Sequence, residues 1–356
     1  MLGSLVLLVQ AETYDMVKEY AGTTFFNEWT FYDHFDNLTN GDVQFLGATE
    51  AASAKLAFVD PATNHAIIKV DNTSTVPDQQ KRNSVRIQTN VMFAIGSLWT
   101  VDMLHVPYGC SVWPAFWSHS PNWPTGGEID TFEAVNLQTR NQMSLHTLPG
   151  CKQVSPNQSA NTTFIPNADC SFQTNMNEGC NVLDPNTASY GAAFSQAGGG
   201  VWITEFAETG ISIWFMPRAN VPSAVSSNSS TIDTSTLGTP VANWPTGGCD
   251  MDTFFGPQNI IFDITLCGDL ADAPGLFAQT CPGMCYESWV VGNGSNYATA
   301  YFEIASMRVF SKTGTNTIID PSKSGAASAL TASSSGLLVY VTGLFSVGIA
   351  SWLFGW

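Results

Sequence analysis

The chain has 356 residues, 29 Asp plus Glu against 12 Lys plus Arg, and a formal net charge of −17. So few cations exclude a nucleic-acid partner, which needs a basic patch, and leave a neutral polysaccharide open. The length suits one large all-β domain with processing segments at its ends; no cofactor and no metal are expected, and a monomer is the default.

Residues 1–11 read as a short signal peptide. An apolar run from Leu2 is followed by Val9-Gln10-Ala11, which satisfies the small-residue rule for cleavage. The basic n-region is missing, which fits either a truncated start or a weak signal. A catalytic domain is then expected over 12–311. Within it Ser84–Gln88, Ile211–Met216, Asn259–Leu266 and Tyr301–Phe310 alternate apolar with polar residues. That period predicts strands with one face buried and the other lining a groove or solvent. Asn40-Gly41, Pro149-Gly150, Gly198-Gly199-Gly200 and Thr246-Gly247-Gly248 supply turns between them. The profile is that of a large antiparallel sandwich.

Eight cysteines, at Cys110, Cys151, Cys170, Cys180, Cys249, Cys267, Cys281 and Cys285, lack zinc-like spacing with histidine. Four disulfides made in an oxidising compartment follow, with on the order of 100 pairings open. The sequons at Asn37, Asn72, Asn157, Asn161, Asn228 and Asn293 point to the same secretory route. Cys151–Gly200 has little periodicity and reads as a disulfide-held excursion bordering the cleft or decorating it. Residues 312–336 are rich in Ser, Thr, Ala and Gly, which suits a flexible stalk. Residues 337–356 are largely apolar and uncharged, with nothing basic after them. This pattern reads as a GPI-anchor signal with its modified residue near Ser324, Gly325 or Ala326; a retained transmembrane anchor is the alternative.

The chemistry concentrates in Gly127-Glu128-Ile129-Asp130-Thr131-Phe132-Glu133, beside Trp113, Trp117 and Trp123. On a strand, Glu128 and Asp130 share a face, while Glu133 falls on the other. One bulge around Thr131 and Phe132 absorbs a residue and returns Glu133 to their side. The two glutamates then stand four strand steps apart, about 13 Å between Cα atoms. Leaning together, they suit the separation of about 5 to 5.5 Å of a retaining glycosidase. Crowding keeps three carboxyls from all ionising, so a proton shared by Asp130 and Glu128, with Glu133 protonated, is expected. The bland alternative is a solvated acidic strand edge. The three tryptophans are candidate platforms for sugar C–H faces, the alternative for each being a place in the core.

Glu128 to Glu133 resembles the E-x-D-x-x-E signature of glycoside hydrolase family 16 in its bulged, laminarinase-type form. Arg82-Asn83-Ser84-Val85-Arg86-Ile87, Trp113-Pro114-Ala115, Asn141 to Thr147 and Cys267-Gly268-Asp269 are similar to fungal endo-β-1,3(4)-glucanases, and the likeness runs from about Tyr14 to Phe310. It implies a jelly-roll β-sandwich with a cleft on its concave face and a double-displacement hydrolysis of β-glucan. Glu128 takes the nucleophile's place, Asp130 the assisting acid's and Glu133 the acid/base's. Trp117 and Trp123 match aromatics of the family's site. His146 is implied near the cleaved bond, bonded to a hydroxyl or to Glu133. Asn83 and Arg86 match a sugar-contacting segment, and Glu205 a cleft-facing position; a structural ion pair is the alternative for Arg86. The family's Gly-Asp-Trp reads Gly268-Asp269-Leu270 here, which puts a sugar subsite in question.

Three functions are expected to compete. The first is an endo-β-1,3(4)-glucan hydrolase acting on laminarin or lichenan, in catabolism or wall remodelling. The second is a GPI-anchored wall transglycosylase using the same covalent intermediate. The third, a non-catalytic β-glucan-binding protein, is disfavoured because both glutamates are present.

Overall fold

The computed structural model describes residues 12–159, 162–164, 168–225 and 229–323. The leader at 1–11, the anchor at 337–356, the candidate modification site and the sequon residues Asn161 and Asn228 lie outside them. One compact unit reaches to Asp320 and a second begins at Pro321. Ile318-Ile319 pairs with Met92-Phe93, so the first unit extends into the segment expected as stalk, which moves the boundary beyond residue 319. Among the described residues no helix is long and apolar enough to cross a membrane.

Two large antiparallel sheets face each other. The first has nine strands, with 231–233, 13–21, 301–312, 97–105, 200–207, 210–217 and 242–245 in spatial order, and with 66–69 and 57–59 branching from 301–312. The second has eight, in the order 163–164, 182–183, 142–146, 128–133, 112–119, 259–266, 86–89 and 29–31. This is the expected antiparallel β-sandwich jelly roll.

Strand Asn259–Leu266 shows why these residues make a sheet between two environments. Ile260, Phe262, Ile264 and Leu266 pack in the core between the sheets, while Asn259, Ile261, Asp263 and Thr265 share the opposite face. The Phe262 ring lies 4.6 Å from Phe116 in the neighbouring strand and 5.5 Å from Phe302 in the facing sheet. Burying each such ring contributes roughly 1.5–3 kcal/mol. Truncating Phe262 to alanine would cost about 3–5 kcal/mol by opening a cavity there.

The nine-stranded sheet is covered on its outer side too. Tyr14, Leu98, Val201, Ile203, Trp214 and Phe310 form a second apolar cluster with Val225, Ile232 and Leu237. The outer face of the eight-stranded sheet therefore remains as the groove.

The cysteines pair as Cys110–Cys281, Cys151–Cys249, Cys170–Cys180 and Cys267–Cys285. Two of these bridges hold the excursion after Cys151. That excursion borders the cleft: Phe172 meets Trp123 edge-on at 5.7 Å, and Asn177 bonds His146. Of the described sequon residues, Asn37, Asn157 and Asn293 are exposed and Asn72 is half-buried.

Candidate active site

Strand Glu128–Glu133 carries a bulge. Asp130 stands opposite Ser144 and Glu133 opposite Gln142, so three steps on this strand match two on its partner. The other neighbour agrees, with Trp117 opposite Asp130 and Phe116 opposite Phe132. Thr131 is the extra residue. Both it and Phe132 turn inward, Thr131 Oγ1 lying 2.6 Å from Thr204 Oγ1 of the facing sheet and Phe132 6.0 Å from Trp202. Glu128, Asp130 and Glu133 thereby share the groove face. The turn before them needs glycine: Gly127 has φ +69°, and a Cβ there would come within 2.5 Å of the Phe255 ring.

Cross-strand pairing fixes which side chains join the acids. Opposite Glu133 the row runs Ala115, Asp263, Arg86; opposite Asp130 it runs Trp117, Ile261, Gln88; opposite Glu128 stands His119. On the other flank Glu128, Asp130 and Glu133 face His146, Ser144 and Gln142.

Each of the three candidate tryptophans gives its indole N–H to a carboxylate on this face. Trp113 Nε1 donates to Glu133 Oε1 at 2.8 Å, Trp117 Nε1 to Asp263 Oδ1 at 2.8 Å, and Trp123 Nε1 to Glu128 Oε2. They orient acids as well as lining the groove. Trp123, 40% exposed, offers the largest open ring; Trp113 and Trp117 are half-buried.

The electrostatics separate the acids. Burial and then the charge of Asp130 push Glu128 well above the usual carboxylate range. The same two causes, in the same order, raise Glu133 to about 7. Asp130 Oδ2 accepts from Ser144 Oγ and lies 3.3 Å from His146 Nε2. Burial lowers the His146 pKa, but Glu128 and Asp130 overcome it and raise the imidazole to about 10. Its other nitrogen, Nδ1, faces Asn177 Oδ1 at 3.0 Å, so both ring nitrogens have oxygen partners, as an imidazolium requires.

This pairing bears on two expectations. Asp130 has His146 at 3.3 Å and, by its charge, helps to raise the pKa of Glu128. His146 engages Asp130 and Asn177, with no bond to Glu133. The ligand atoms of Glu128, Asp130 and His146 lie within 4.8 Å of one another, a spacing open to a cation.

Arg86 is buried against the same face. Its guanidinium lies 3.7 Å from Asp263, with its carbon 4.9 Å from the Trp117 ring and 5.4 Å from Tyr32. Burial raises Asp263 to about 6, against the pull of Arg86 and the Trp117 N–H. Asn83 is half-buried, opposite Gln44 in a parallel pair with Val43–Phe45, and makes no bond to the carboxylates.

Glu205 is a correction. It lies in the nine-stranded sheet, opposite Leu98 and Ser212, and accepts a bond from Tyr14 at 2.9 Å on the outer face, away from the groove. Alternation along strand Gly200–Ala207 correctly puts Glu205 on the face opposite Thr204. It does not say which sheet the strand joins.

Asp263, Ser144 and Asn177 are the site residues missed as candidates. The period-2 pattern of Asn259–Leu266 already put Asp263 on a non-core face. Ser144 had a similar signal two residues before His146, whereas Asn177, reaching in from an irregular loop, had none.

Comparison with known proteins then decides the family. A model described as an XgeA-like catalytic domain of glycoside hydrolase family 16 matches residues 29–310. The chain belongs to glycoside hydrolase family 16. A probable glycosidase of Schizosaccharomyces pombe is 38% identical over 302 residues, which cover 85% of this chain and 70% of that protein. An endo-1,3(4)-beta-glucanase of Arthroderma benhamiae is 35% identical over 317 residues, 87% of this chain and 67% of its own length. Other family 16 relatives are longer, and the match spans only 46% of a probable endo-1,3(4)-beta-glucanase of Neosartorya fischeri. Among solved structures, family 16 laminarinase 16A of Phanerochaete chrysosporium, with beta-glucans in donor and acceptor sites, is 35% identical. It superposes with a TM-score of 0.79 over 84% of this chain and 99% of that one. An elongating family 16 beta-1,3-glucosyltransferase gives 32% identity and a TM-score of 0.77, covering 84% and 100%.

Proposed function

We propose that this family 16 glycoside hydrolase is an endo-β-1,3(4)-glucanase that works with retention. The carrying observation is the bulge, which puts Glu128 and Glu133 on one face of the groove with Asp130 between them. The names of its relatives support a β-glucan substrate.

Glu128 attacks the anomeric carbon as a carboxylate, a form that the His146 charge and the Trp123 N–H favour against burial and Asp130, while Glu133 gives its proton to the departing glycosidic oxygen. A glycosyl ester on Glu128 results and the bond to the leaving chain breaks. Glu133, now a base, takes a proton from water as the hydroxyl oxygen adds to the anomeric carbon and Glu128 departs. A pKa near 7 lets Glu133 serve in both directions. His146 and Asp130 pair beside Glu128, so its negative charge can form without a third uncompensated carboxylate. Trp123 holds the attacking carboxylate by its indole N–H.

A second reading is transfer to a sugar hydroxyl in place of water, favoured by the likeness to the elongating glucosyltransferase. It shares every residue of the first half-reaction. Sequons, even cysteines and the apolar C-terminal segment support a secreted protein held at the cell surface by a GPI anchor.

Product profiles on laminarin, lichenan and carboxymethylcellulose test the reading. Shorter oligosaccharides from laminarin are expected; products longer than the donor would favour transfer. Glu128→Gln should abolish turnover with its melting temperature held, and normal turnover in that variant would sink the assignment.

A further inference from the structure

The bulge creates a problem that one buried side chain solves. With an extra residue in the strand, the ladder to Gln142–His146 is interrupted between Asp130 and Glu133. Backbone groups beside the break lack their regular partners, and buried backbone polar groups must be paired. Asn141, the residue before that partner strand, has no exposed surface. Its Oδ1 accepts from the Glu133 N–H at 2.9 Å, and its Nδ2 donates to the Thr131 carbonyl at 3.0 Å. A carboxamide carries the donor and acceptor of a peptide group, so it stands in for the missing rung.

The clamp is itself held. The Asn141 N–H donates to Ser189 Oγ at 2.9 Å, and its carbonyl accepts from the Asp184 N–H at 2.9 Å. Ser189 Oγ in turn donates to the Asn186 carbonyl at 2.7 Å. Every polar group of Asn141 has a partner, and its outer anchors are in the 184–189 segment of the excursion.

We propose that Asn141 is a positioning residue for the acid/base: its amide fixes the main chain of Glu133, and so the reach of that carboxyl toward the glycosidic oxygen. It touches neither substrate nor the reacting atoms. The inference rests on the proposed hydrolase mechanism, with Glu133 as acid and base.

The distinguishing readout is leaving-group dependence. A dinitrophenyl leaving group departs without a proton, so the first step on a dinitrophenyl β-laminaribioside does not need a well-placed Glu133; laminarin does. Asn141→Leu removes both amide bonds at similar volume, and Asn141→Asp keeps the acceptor while losing the donor. For each variant that melts as a folded protein, kcat/KM on laminarin is expected to fall about 10- to 100-fold, mostly in kcat, as misplacement of a catalytic group predicts. On the activated substrate the loss should stay below about threefold, and azide should restore part of kcat by replacing base-activated water. Should Asn141→Leu fail to fold, Asn141→Asp carries the comparison. Equal losses on both substrates, or no loss on either, would overturn the clamp. Glu133→Ala is the reference: if that variant shows no leaving-group dependence, the failure belongs to the hydrolase reading instead.

Discussion

Trp113→Phe isolates one hydrogen bond to the acid/base. The indole N–H donates to Glu133 Oε1 at 2.8 Å and lowers a pKa that burial and Asp130 have raised to about 7. Phenylalanine keeps an aromatic ring there and removes the donor. A bond to a charged group contributes about 1.5–3 kcal/mol, and a pKa unit corresponds to about 1.4 kcal/mol. Losing the bond destabilises only the ionised form, so Glu133 should hold its proton about 1 to 2 units higher. In a reaction that starts with Glu133 protonated, the alkaline limb of kcat/KM reports this group in the free enzyme. Profiles on laminarin across the acid to alkaline range should show the variant's alkaline limb moving from near 7 to about 8 to 9. A limb that stays in place, or moves down, would mean that Glu133 is not the acid or that Trp113 does not tune it.

Three further outcomes follow from particular contacts. Glu205 has its pKa raised from 4.5 to about 7, chiefly by burial, so the folded state binds its proton more tightly than the unfolded chain. Its contribution is favourable at low pH and is lost as pH rises from about 4.5 through about 7; in denaturant unfolding Glu205→Gln should match the parent's stability near pH 4 and exceed it at pH 8, by up to about 3 kcal/mol. A variant less stable at both pH values would refute the burial argument. Replacing Cys170 and Cys180 together by serine opens a loop of sequence separation 10; a loss of about 3 kcal/mol in denaturant unfolding is expected. Because that loop carries Asn177 against His146, KM on laminarin should rise as well, and an unchanged KM would uncouple the loop from the groove. Gly179→Ala places a Cβ within 2.8 Å of the His146 ring at a φ of +71°; it should lower kcat, measured on the same substrate, while leaving the disulfides closed.

The acid cluster was legible because a strand has a strict period of two. Glu133 violated it, and a bulge at Thr131 was the least change that put three acids on one face. The antiparallel sandwich was legible for a related reason: strand Asn259–Leu266 separates Ile260, Phe262, Ile264 and Leu266 from Asp263 and Thr265 without any tertiary information. The roles of the tryptophans were not. Composition suggests rings for stacking, but the destination of an indole N–H depends on which strands become neighbours, as Trp117 and Asp263 do from opposite halves of the chain. Glu205 was placed in the cleft by resemblance alone, and its own strand carries no sign of which sheet it joins. Cysteine pairing lies further out of reach, because Cys110 and Cys281 stand 171 residues apart in the chain.

The bulge also makes this strand uneven in its tolerance of altered length. If the codon for Thr131 were lost, the strand would read Glu-Ile-Asp-Phe-Glu, a regular alternation that keeps all three acids facing the groove. The cost would fall on the contact with Thr204 and on the Thr131 carbonyl held by Asn141. Losing the codon for Ile129 would instead put Glu128 and Asp130 on opposite faces. A gene for this protein can therefore shorten by one residue at the bulge and still encode the same acid face, a change that the position two residues earlier does not permit.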